Sequence, residues 1–445
     1  MKILIIARYF SPYNHIASIR LTKLAKYLQR MGYEVTVLTG MNNTETLDPI
    51  LMEDEKEISR IVRADNSRLY YAVYNFIYGV YKKNSNAAAA SAAPAANTAV
   101  PADADAPSFK NKLKAMVREA LHIYENYDFA HQAKKQLRAV RGQYDVILSS
   151  FGPHSSHLLG LHYKKRNCAP VWIADFRDAI SFEDYTLSAG WSKRFLARVF
   201  TRADHITAVS QGVIDQLELP ATLSRTVISN AFDGEDLRFV AQTSQDDRIC
   251  YLSYPGQLYS GKRDLSPIFR CIQDLSTQGE IDLSRIRINY AGSNYDELQR
   301  QAAPYGLTHI LIDHGYVNRQ ASLEMQTASD LLLLASWNNV GNTGIVTGKF
   351  LEYLMMRKPI VCVISGNLPN SALKEMIDSA NVGFCYEAAG PDDSYDQLKQ
   401  YILMVYRAAV NGAQLDFFPD ENNIAQYTYA QKASTFAELF HSLNR

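Results

Sequence analysis

Short apolar runs that alternate with helical patterns recur along this chain, and this alternation constrains its fold more than any other feature. The first two runs are Ile3–Ala7 and Glu34–Leu38, separated by a helical pattern that Gly32 closes. A strand, a helix and a second strand of this kind form a βαβ unit, which predicts a parallel sheet with helices on both faces. The alternation continues through strands predicted at Val146–Leu148, Val171–Ala174, His205–Ala208 and Thr226–Ile228.

A second series of predicted strands follows a polar stretch at 242–247. Its members are Ile249–Ser253, Ile286–Tyr290, Ile310–Ile312, Leu331–Leu334, Pro359–Val363 and Val382–Phe384. Two series in 445 residues predict an α/β protein with two doubly wound, Rossmann-like domains, 1–245 and 246–424, facing each other across a cleft. A C-terminal helix over about 425–445 is expected to pack back on the first domain. Because ligands of such sheets lie at the carboxyl ends of the strands, the cleft is the expected binding site.

The composition disfavours several classes of protein. With 46 Lys and Arg against 46 Asp and Glu, the formal net charge is zero, which argues against nucleic acid as a partner. The five cysteines are scattered without a C-x-x-C pair, so we expect a reduced, cytoplasmic protein without a zinc site. The sequence predicts neither a signal peptide nor a membrane span. A dinucleotide-dependent dehydrogenase is disfavoured, because the first βα turn, Arg8 to Ser18, contains no glycine.

Residues 84–107 interrupt the alternation with an Ala-rich, low-complexity stretch, which we predict to be a disordered loop. An aromatic stretch at 69–81 precedes it, and a basic stretch at 110–141 follows it. Tyrosines beside lysines and arginines suit an anionic membrane surface. Two interpretations stay open: peripheral association with a membrane, or a Tyr-rich core hairpin followed by a solvated basic helix.

The segment 342–363 carries the most informative ligand-binding pattern. It predicts a loop, a helix that begins near Gly348 and a buried strand from Pro359. A loop that enters a helix presents unpaired N–H groups at the positive end of the helix dipole, which suits a diphosphate. Glu352 lies off the apolar face and leans back toward that end, where a carboxylate suits the hydroxyls of a neighbouring ribose. A surface glutamate without a ligand is the open alternative.

Further motifs occur in the order found in a known family. The first half contains Tyr9–Pro12, Ser149–Ser156, Trp172–Asp178, Ala203–Ser210 and Ile228–Asp233. The second half adds Tyr254–Arg263, Ala291-Gly292 and Gly348–Tyr353. By these motifs the chain resembles, over nearly its whole length, the GT-B glycosyltransferases of the retaining glycosyltransferase 4 group, particularly bacterial members that build cell-surface polysaccharides.

The resemblance implies transfer of a sugar from a nucleotide diphosphate sugar to a glycan or lipid-linked acceptor, with retention at the anomeric carbon. It implies no required metal and no further cofactor. The donor is expected on the second domain and the acceptor on the first. For a protein of this kind, a peripheral position at the inner face of a membrane is one expected location.

The resemblance also assigns residues to roles. The expected donor-binding residues are Gly256, Gln257, Lys262, Arg263, Thr343, Gly344, Ile345, Val346, Thr347, Lys349 and Glu352. The expected catalytic residues are Lys262, His154 and Asp178, and Tyr9, Arg20 and Arg177 are expected on the acceptor side.

Each assignment has a physical reason and an alternative. Lys262 can neutralise charge that develops on the leaving diphosphate, and a solvated loop side chain is the alternative for it and for Arg263. His154 is expected to contact the transferred sugar as a neutral imidazole, or else to have a structural role at a helix N-terminus. Asp178 is expected to reach the acceptor or the donor sugar. Arg177 is also expected to pair with a neighbouring carboxylate, Asp175 or Asp178, as a structural brace.

Three positions depart from the family pattern. Gly344 stands where members often have the first of two glutamates, Gln257 replaces an arginine of the diphosphate loop, and Ala231 replaces a glycine. The loss of a carboxylate at 344 leaves two alternatives open. One is a nucleotide-sugar epimerase of the same architecture, and the other is a non-catalytic, nucleotide-binding subunit of a polysaccharide assembly.

Overall fold

Continuous apolar runs form the strands because both faces of each strand are buried. In β1, Lys2–Ala7, the side chains of residues 3–6 have no exposed surface. The computed structural model describes residues 1–14, 16–41, 46–77, 109–136, 144–177, 189–241, 246, 248–259, 261–341 and 346–444. The low-complexity stretch predicted to be disordered, 84–107, lies outside the described residues.

Two parallel sheets confirm the predicted α/β architecture. The first has the strand order β3-β2-β1-β4-β5-β6-β7 and the second β10-β9-β8-β11-β12-β13. The strands after β1 are β2 Glu34–Gly40, β3 Arg60–Ala64, β4 Val146–Ser150, β5 Val171–Phe176, β6 His205–Ala208, β7 Arg225–Val227, β8 Cys250–Pro255, β9 Ile286–Ala291, β10 Leu311–Asp313, β11 Leu331–Trp337, β12 Ile360–Ser365 and β13 Gly383–Glu387.

Helices cover both faces of each sheet, as the βαβ pattern predicts. They are α1 Ile16–Arg30, α2 Pro49–Glu55, α3 over 68–77, α4 Phe109–Gln136, α5 Ser155–Lys165, α6 Ala189–Phe200, α7 Gln211–Gln216, α8 Ser266–Thr277, α9 Tyr295–Ala302, α10 Arg319–Ala328, α11 Gly348–Met356, α12 Ala372–Ala380, α13 Ser394–Asn411, α14 Glu421–Ala425 and α15 Tyr429–Leu443. Within the described ranges, no helix is long and apolar enough to span a bilayer.

β3 is a strand that the sequence pattern did not predict. It is an edge strand that pairs with β2 only, and its sequence, Arg-Ile-Val-Arg-Ala, brackets two apolar residues with arginines. An edge strand needs fewer apolar residues than a central one because part of its surface faces solvent. Its pattern is therefore too short and too polar to distinguish from a loop.

The last helix returns to the first domain. α15 packs against α1, and Phe436 and Phe440 are buried in the same hydrophobic cluster as Leu21 and Leu24. A bridge between Phe232 and Thr428 precedes the helix. The chain thus crosses between the domains twice.

Buried charges lie where the two domains meet. The ammonium groups of Lys23 and Lys26 on α1 pair with Asp54 on α2 and with Asp233, next to the 3-10 helix Gly234–Phe239. Lys23 also pairs with Asp236. We call these side chains, together with Arg319, the junction network. Arg319, on α10 of the second domain, reaches Asp236 at 2.5 Å, so the network joins the domains.

Candidate functional site

The carboxyl edge of the first sheet carries a small pocket between β1 and β4. The chain winds away from these neighbouring strands in opposite directions, so they form the switch point where doubly wound sheets bind ligands. Two residues predicted on the acceptor side, Tyr9 and Arg177, lie together here. The full lining is Ala7, Arg8, Tyr9, Ala17, Leu21, Ser150, Gly152 and Arg177.

Arg177 lies across the loop that follows β4. Its Nε donates to the carbonyl of Phe151 at 2.7 Å, and its Nη2 donates to the carbonyl of Gly152 at 2.8 Å. Gly152 has a φ of 98°, and a Cβ there would lie 2.3 Å from Nη2 of Arg177. A residue without a side chain is needed at this close approach. Arg177 therefore fixes the loop that leads to His154.

Arg20, which the sequence placed on the acceptor side, forms a buried ion pair with Asp175 at the end of β5. Nη2 of Arg20 donates to Oδ1 of Asp175 at 3.0 Å, and both side chains are buried. Arg20 also donates to the carbonyls of Ile228 and Ser229. These bonds give Arg20 a structural role inside the domain, and its contact to an acceptor stays a prediction. Asp178, the other proposed partner of Arg177, lies outside the described residues.

His154 lies at the N-terminus of α5, two residues after Gly152 of the pocket between β1 and β4. Its side chain is buried, with its ring centroid 5.0 Å from that of Phe151. Burial lowers the pKa of His154 to about 4, so the imidazole is neutral at pH 7. A neutral imidazole is the form that the sequence predicted for a contact to a sugar hydroxyl. That contact itself stays a prediction.

Arg8 is a pocket residue that the sequence reasoning missed. Its guanidinium donates to the side chains of Asn66 and Glu125 at 2.8 and 3.0 Å and lies 4.5 Å from the ring centroid of Phe129. Asn66 precedes α3, and the other two residues belong to α4. The pocket is therefore tied to the helices that flank the low-complexity stretch. The sequence feature that could have identified Arg8 is its position as a cation directly after the first strand.

The second sheet has its switch point between β8 and β11. Gly256, Gln257, Lys262 and Arg263, all predicted to bind the donor, lie on the loop after β8. Ser365, at the end of β12, donates its hydroxyl to the carbonyl of Lys262 at 3.2 Å and anchors the loop. The cations thus lie at the carboxyl edge of the sheet, where the fold places its ligands.

The Ala291-Gly292 motif supports the base of this loop. The N–H of Gly256 donates to the carbonyl of Ala291 at 2.9 Å. A Cβ on Gly292 would lie 2.4 Å from the carbonyl oxygen of Gly256. Glycine is therefore required at 292 because the two loops approach each other so closely.

Lys262 and Arg263 lie against aromatic rings rather than carboxylates. Nζ of Lys262 is 5.8 Å from the ring centroid of Trp337, and Cζ of Arg263 is 4.5 Å from that of Tyr259. Neither cation forms an ion pair with any residue in the described ranges. Nη1 of Arg263 donates to the carbonyl of Gln257 at 3.0 Å. The sequence reasoning missed both rings, although Tyr259 stands within the predicted loop.

α11 begins at Gly348, as the sequence predicted. Thr347 caps the helix, because its hydroxyl accepts from the N–H of Phe350 at 3.4 Å. Val346 packs, partly buried, against the neighbouring core. The other predicted loop residues, Thr343, Gly344 and Ile345, lie outside the described residues.

Glu352 lies one turn into α11 and is held by polar neighbours. Its Oε2 accepts from Nζ of Lys349 at 2.8 Å and from Nε2 of Gln326 at 3.2 Å. Burial would raise the pKa of Glu352, but Lys349 and Arg319 outweigh it and hold that pKa below its usual value. The carboxylate is therefore ionised at neutral pH and is a strong hydrogen-bond acceptor.

Three carboxylates of the junction network approach one another closely enough to suggest a metal site. Oxygens of Asp54, Asp233 and Asp236 lie within 4.8 Å of one another. The ammonium groups of Lys23 and Lys26 already occupy positions between them. The geometry therefore fits an ion-pair network, in which lysines supply the compensating positive charge.

Comparisons with known proteins show the fold. No protein-family model matches the chain, and no curated protein matches its sequence. Solved structures do resemble it along almost the whole length. Sucrose-phosphate synthase (tll1590) from Thermosynechococcus elongatus matches with a TM-score of 0.58 and 11% identity, over 99% of this chain and 98% of that one.

Two further structures extend the likeness. The apo form of the lipopolysaccharide outer core galactosyltransferase WaaB matches with a TM-score of 0.53 and 14% identity, over 99% of both chains. Anabaena Alr3699/HepE in complex with UDP-glucose matches with a TM-score of 0.52 and 15% identity, over 99% of this chain and 100% of that one. The chain thus has the predicted GT-B fold, with two α/β domains that face each other.

Proposed function

We propose that this chain is a retaining glycosyltransferase that moves a sugar from a nucleotide diphosphate sugar to a glycan or lipid-linked acceptor in cell-surface polysaccharide synthesis. The observation that carries the proposal is the pair of cations, Lys262 and Arg263, without carboxylate partners in the described ranges. They lie at the same sheet edge as the N-terminus of α11 and Glu352. Cations and helix N–H groups suit the diphosphate, and the carboxylate suits the ribose.

The proposed reaction follows from the charges at the two edges. The bond between the anomeric carbon and the diphosphate oxygen breaks, and Lys262 and Arg263 stabilise the negative charge that develops on that oxygen. The acceptor hydroxyl attacks from the same face, and its proton passes to the departing phosphate. This path needs no general base from the protein and no metal. His154, neutral and buried, is proposed to hydrogen-bond the transferred sugar, and Asp178 to contact a sugar hydroxyl.

We propose that the donor is a uridine diphosphate sugar, with uracil as its base. The Anabaena structure holds UDP-glucose. Another structure, described as trehalose-6-phosphate from E. coli bound with UDP-2-fluoro glucose, matches this chain with a TM-score of 0.55 and 11% identity. Both share the GT-B architecture, which supports the same class of donor here.

Thermal-shift screening followed by a transfer assay tests the function. We expect UDP or a UDP-sugar to raise the melting temperature more than the guanosine counterparts do. The nucleotide sugar that raises the melting temperature most is then incubated with the protein and with glycan or lipid-linked acceptors. Proton NMR gives the anomeric configuration of the product. Lys262→Ala and Glu352→Ala should abolish transfer, whereas the exposed control Glu438→Gln should not.

The same assay distinguishes the alternatives. Isomerisation of the nucleotide sugar without an acceptor would identify an epimerase. Nucleotide binding with no transfer to any acceptor would favour a non-catalytic subunit. A product with inverted configuration would reject the retaining mechanism and keep the transferase.

We also propose that α3 and the first half of α4 contact an anionic membrane. Leu69, Val73 and Phe76 recur at helical spacing along α3, and Leu69 and Phe76 are 66% and 73% exposed. Residues 109–118, at the start of α4, contain four cations and no acid. Tyr70, on the same helix, is buried, and its ring lies next to those of Tyr71, Tyr74 and Tyr124. An apolar stripe on one helix and a run of basic residues in the sequence of the next are typical of proteins that bind the interface of an anionic bilayer.

Vesicle sedimentation tests this surface. We expect the protein to sediment with vesicles of phosphatidylglycerol and phosphatidylcholine, and much less with phosphatidylcholine alone. Leu69→Ser combined with Phe76→Ser should reduce sedimentation about tenfold, because two apolar contacts are lost. Met404→Ser, at an exposed position of the other domain, is the control. Equal sedimentation of all three proteins would reject α3 as the contact.

A further inference from the structure

We propose that Tyr259 and Trp337 position Lys262 and Arg263 for the donor diphosphate, and we call these four side chains the aromatic clamp. The inference rests on the proposed function and adds two positioning residues to it. Within the described ranges, the rings stand where carboxylates would otherwise pair with the two cations. When the donor binds, its diphosphate forms ion pairs with the two cations.

The clamp is continuous. Nζ of Lys262 lies 5.8 Å from the centroid of Trp337, within the distance at which a cation is attracted to a ring face. The ring centroids of Trp337 and Tyr259 are 6.2 Å apart at an angle of 63°, an edge-to-face contact. Arg263 completes the series at 4.5 Å from the centroid of Tyr259. Each ring thus supports one cation and the other ring.

The backbone at Tyr259 gives a second, independent observation. Its φ is 51°, in the left-handed region that residues other than glycine and asparagine rarely adopt. Tyr259 is nevertheless 50% exposed, so the fold does not bury this residue. Strained backbone of this kind is concentrated at functional sites, where the surrounding structure fixes a side chain in one place. The turn thereby holds the ring between Arg263 and Trp337.

An aromatic ring suits a diphosphate-binding cation better than a carboxylate does. A carboxylate beside Lys262 or Arg263 would have to be displaced by the diphosphate, and its repulsion would weaken binding. Lys349, by contrast, is already paired with Glu352 at 2.8 Å. A ring attracts a cation without carrying a formal charge, so it orders the side chain and leaves the charge available. Arg263 is also held by its hydrogen bond from Nη1 to the carbonyl of Gln257 at 3.0 Å, which uses no carboxylate.

Matched binding titrations test the clamp. Calorimetric affinities for UDP and for uridine are compared in the wild type and in Trp337→Leu, Trp337→Phe, Tyr259→Asn and Tyr259→Phe. Asparagine tolerates the left-handed backbone but lacks the ring. We expect Trp337→Leu and Tyr259→Asn to weaken UDP binding about tenfold and to leave uridine binding unchanged, because only UDP carries the diphosphate. The two phenylalanine variants should restore most of the affinity.

A spectroscopic signal accompanies the titration. If Lys262 leaves the indole when the diphosphate binds, UDP should change the tryptophan fluorescence of the wild type, and Trp337→Phe should lose that change. Phe418→Leu, at an exposed aromatic position of the same domain, is the control.

Three results would overturn the inference. Unchanged UDP affinity in Trp337→Leu and Tyr259→Asn would reject the clamp while leaving the proposed function intact. Equal losses for UDP and uridine would show that the rings contact the base or support the fold. Absence of binding to UDP, GDP and ADP by the wild type would instead remove the proposed function and the clamp with it.

Discussion

At the scale of single residues, Glu352 shows how a carboxylate one turn inside a helix is kept ionised. Burial opposes its charge, and Lys349 and Arg319 more than offset that cost. The sequence placed Glu352 off the apolar face of its helix, and the structure adds the cations around it. These two cations keep the carboxylate ionised at neutral pH.

We therefore predict that Glu352→Gln weakens UDP binding about tenfold, because a neutral amide accepts hydrogen bonds less strongly than a carboxylate. The melting temperature should change little, since the side chain is not part of the apolar core. Calorimetry and thermal unfolding measure the two effects, with the exposed Glu438→Gln as the control. Unchanged nucleotide affinity would count against the ribose role.

The buried histidines predict a dependence of stability on pH. Burial lowers the pKa of His154 to about 4 and that of His157 to about 3. In the unfolded chain both histidines bind a proton with an ordinary pKa of about 6.5. The stability that the neutral, buried imidazoles contribute is therefore complete above pH 6.5 and is lost as the pH falls toward the pKa values of the folded protein. Across this range, each histidine lowers the free energy of unfolding by up to about 1.4 kcal/mol for every unit by which the pH falls.

Urea unfolding at pH 7, 6 and 5 measures this slope. His157→Phe removes one titrating group and keeps a ring of similar size among Phe151, Trp172 and Phe176. It also loses the bond to Ser149, so the slopes are compared and not the absolute stabilities. We expect a shallower slope in the variant, and identical slopes would contradict the assignment.

At the scale of secondary-structure elements, α15 is the helix that ties the end of the chain to the first domain. Phe436 and Phe440 are almost fully buried, with ring centroids 5.9 Å apart. Arg20 lies 5.8 Å from the ring of Phe436 and pairs with Asp175 in the adjoining sheet. The helix thus covers the buried brace as well as apolar residues of α1.

Phe440→Ala should lower the free energy of unfolding by about 3–5 kcal/mol, because it leaves a cavity under α15. The exposed Phe418→Ala should change it by less than about 0.5 kcal/mol. Chemical denaturation followed by circular dichroism compares the two. A loss below about 1 kcal/mol for Phe440→Ala would show that α15 can detach without unfolding the domain.

At the scale of the whole molecule, the junction network connects the domains through charge. Arg319 pairs with Asp236 from across the junction, and it also lies close enough to Glu352 to lower the pKa of that carboxyl. The domain contact and the proposed donor site therefore share one side chain. A change in the relative position of the domains would alter the charge beside Glu352.

Arg319→Met should destabilise the protein by about 3–5 kcal/mol, since it leaves Asp236 short of a partner in a buried site. Asp236→Asn should also destabilise it, and the double variant should lose less than the sum of the two. Unfolding of all four proteins in urea gives the coupling free energy. Purely additive losses would show that the pair does not connect the domains.

The sequence alone determined the two parallel sheets, the start of α11 and the loop that carries Lys262. These features depend on local patterns: apolar runs long enough to bury both faces, a helical period and a glycine turn. The edge strand β3 was not predicted, because its two adjacent apolar residues are too few to form a recognisable apolar run.

Only the tertiary structure decided which charges meet. Asp175 pairs with Arg20, which lies 155 residues away along the chain. Lys262 lies near the ring of Trp337, and Arg319 of the second domain forms an ion pair with Asp236 of the first. Spacing along the chain carries no information about such partners, because an ion pair or a ring contact depends on distance in space. The strand order brings these residues together, and it follows from the packing of the whole fold.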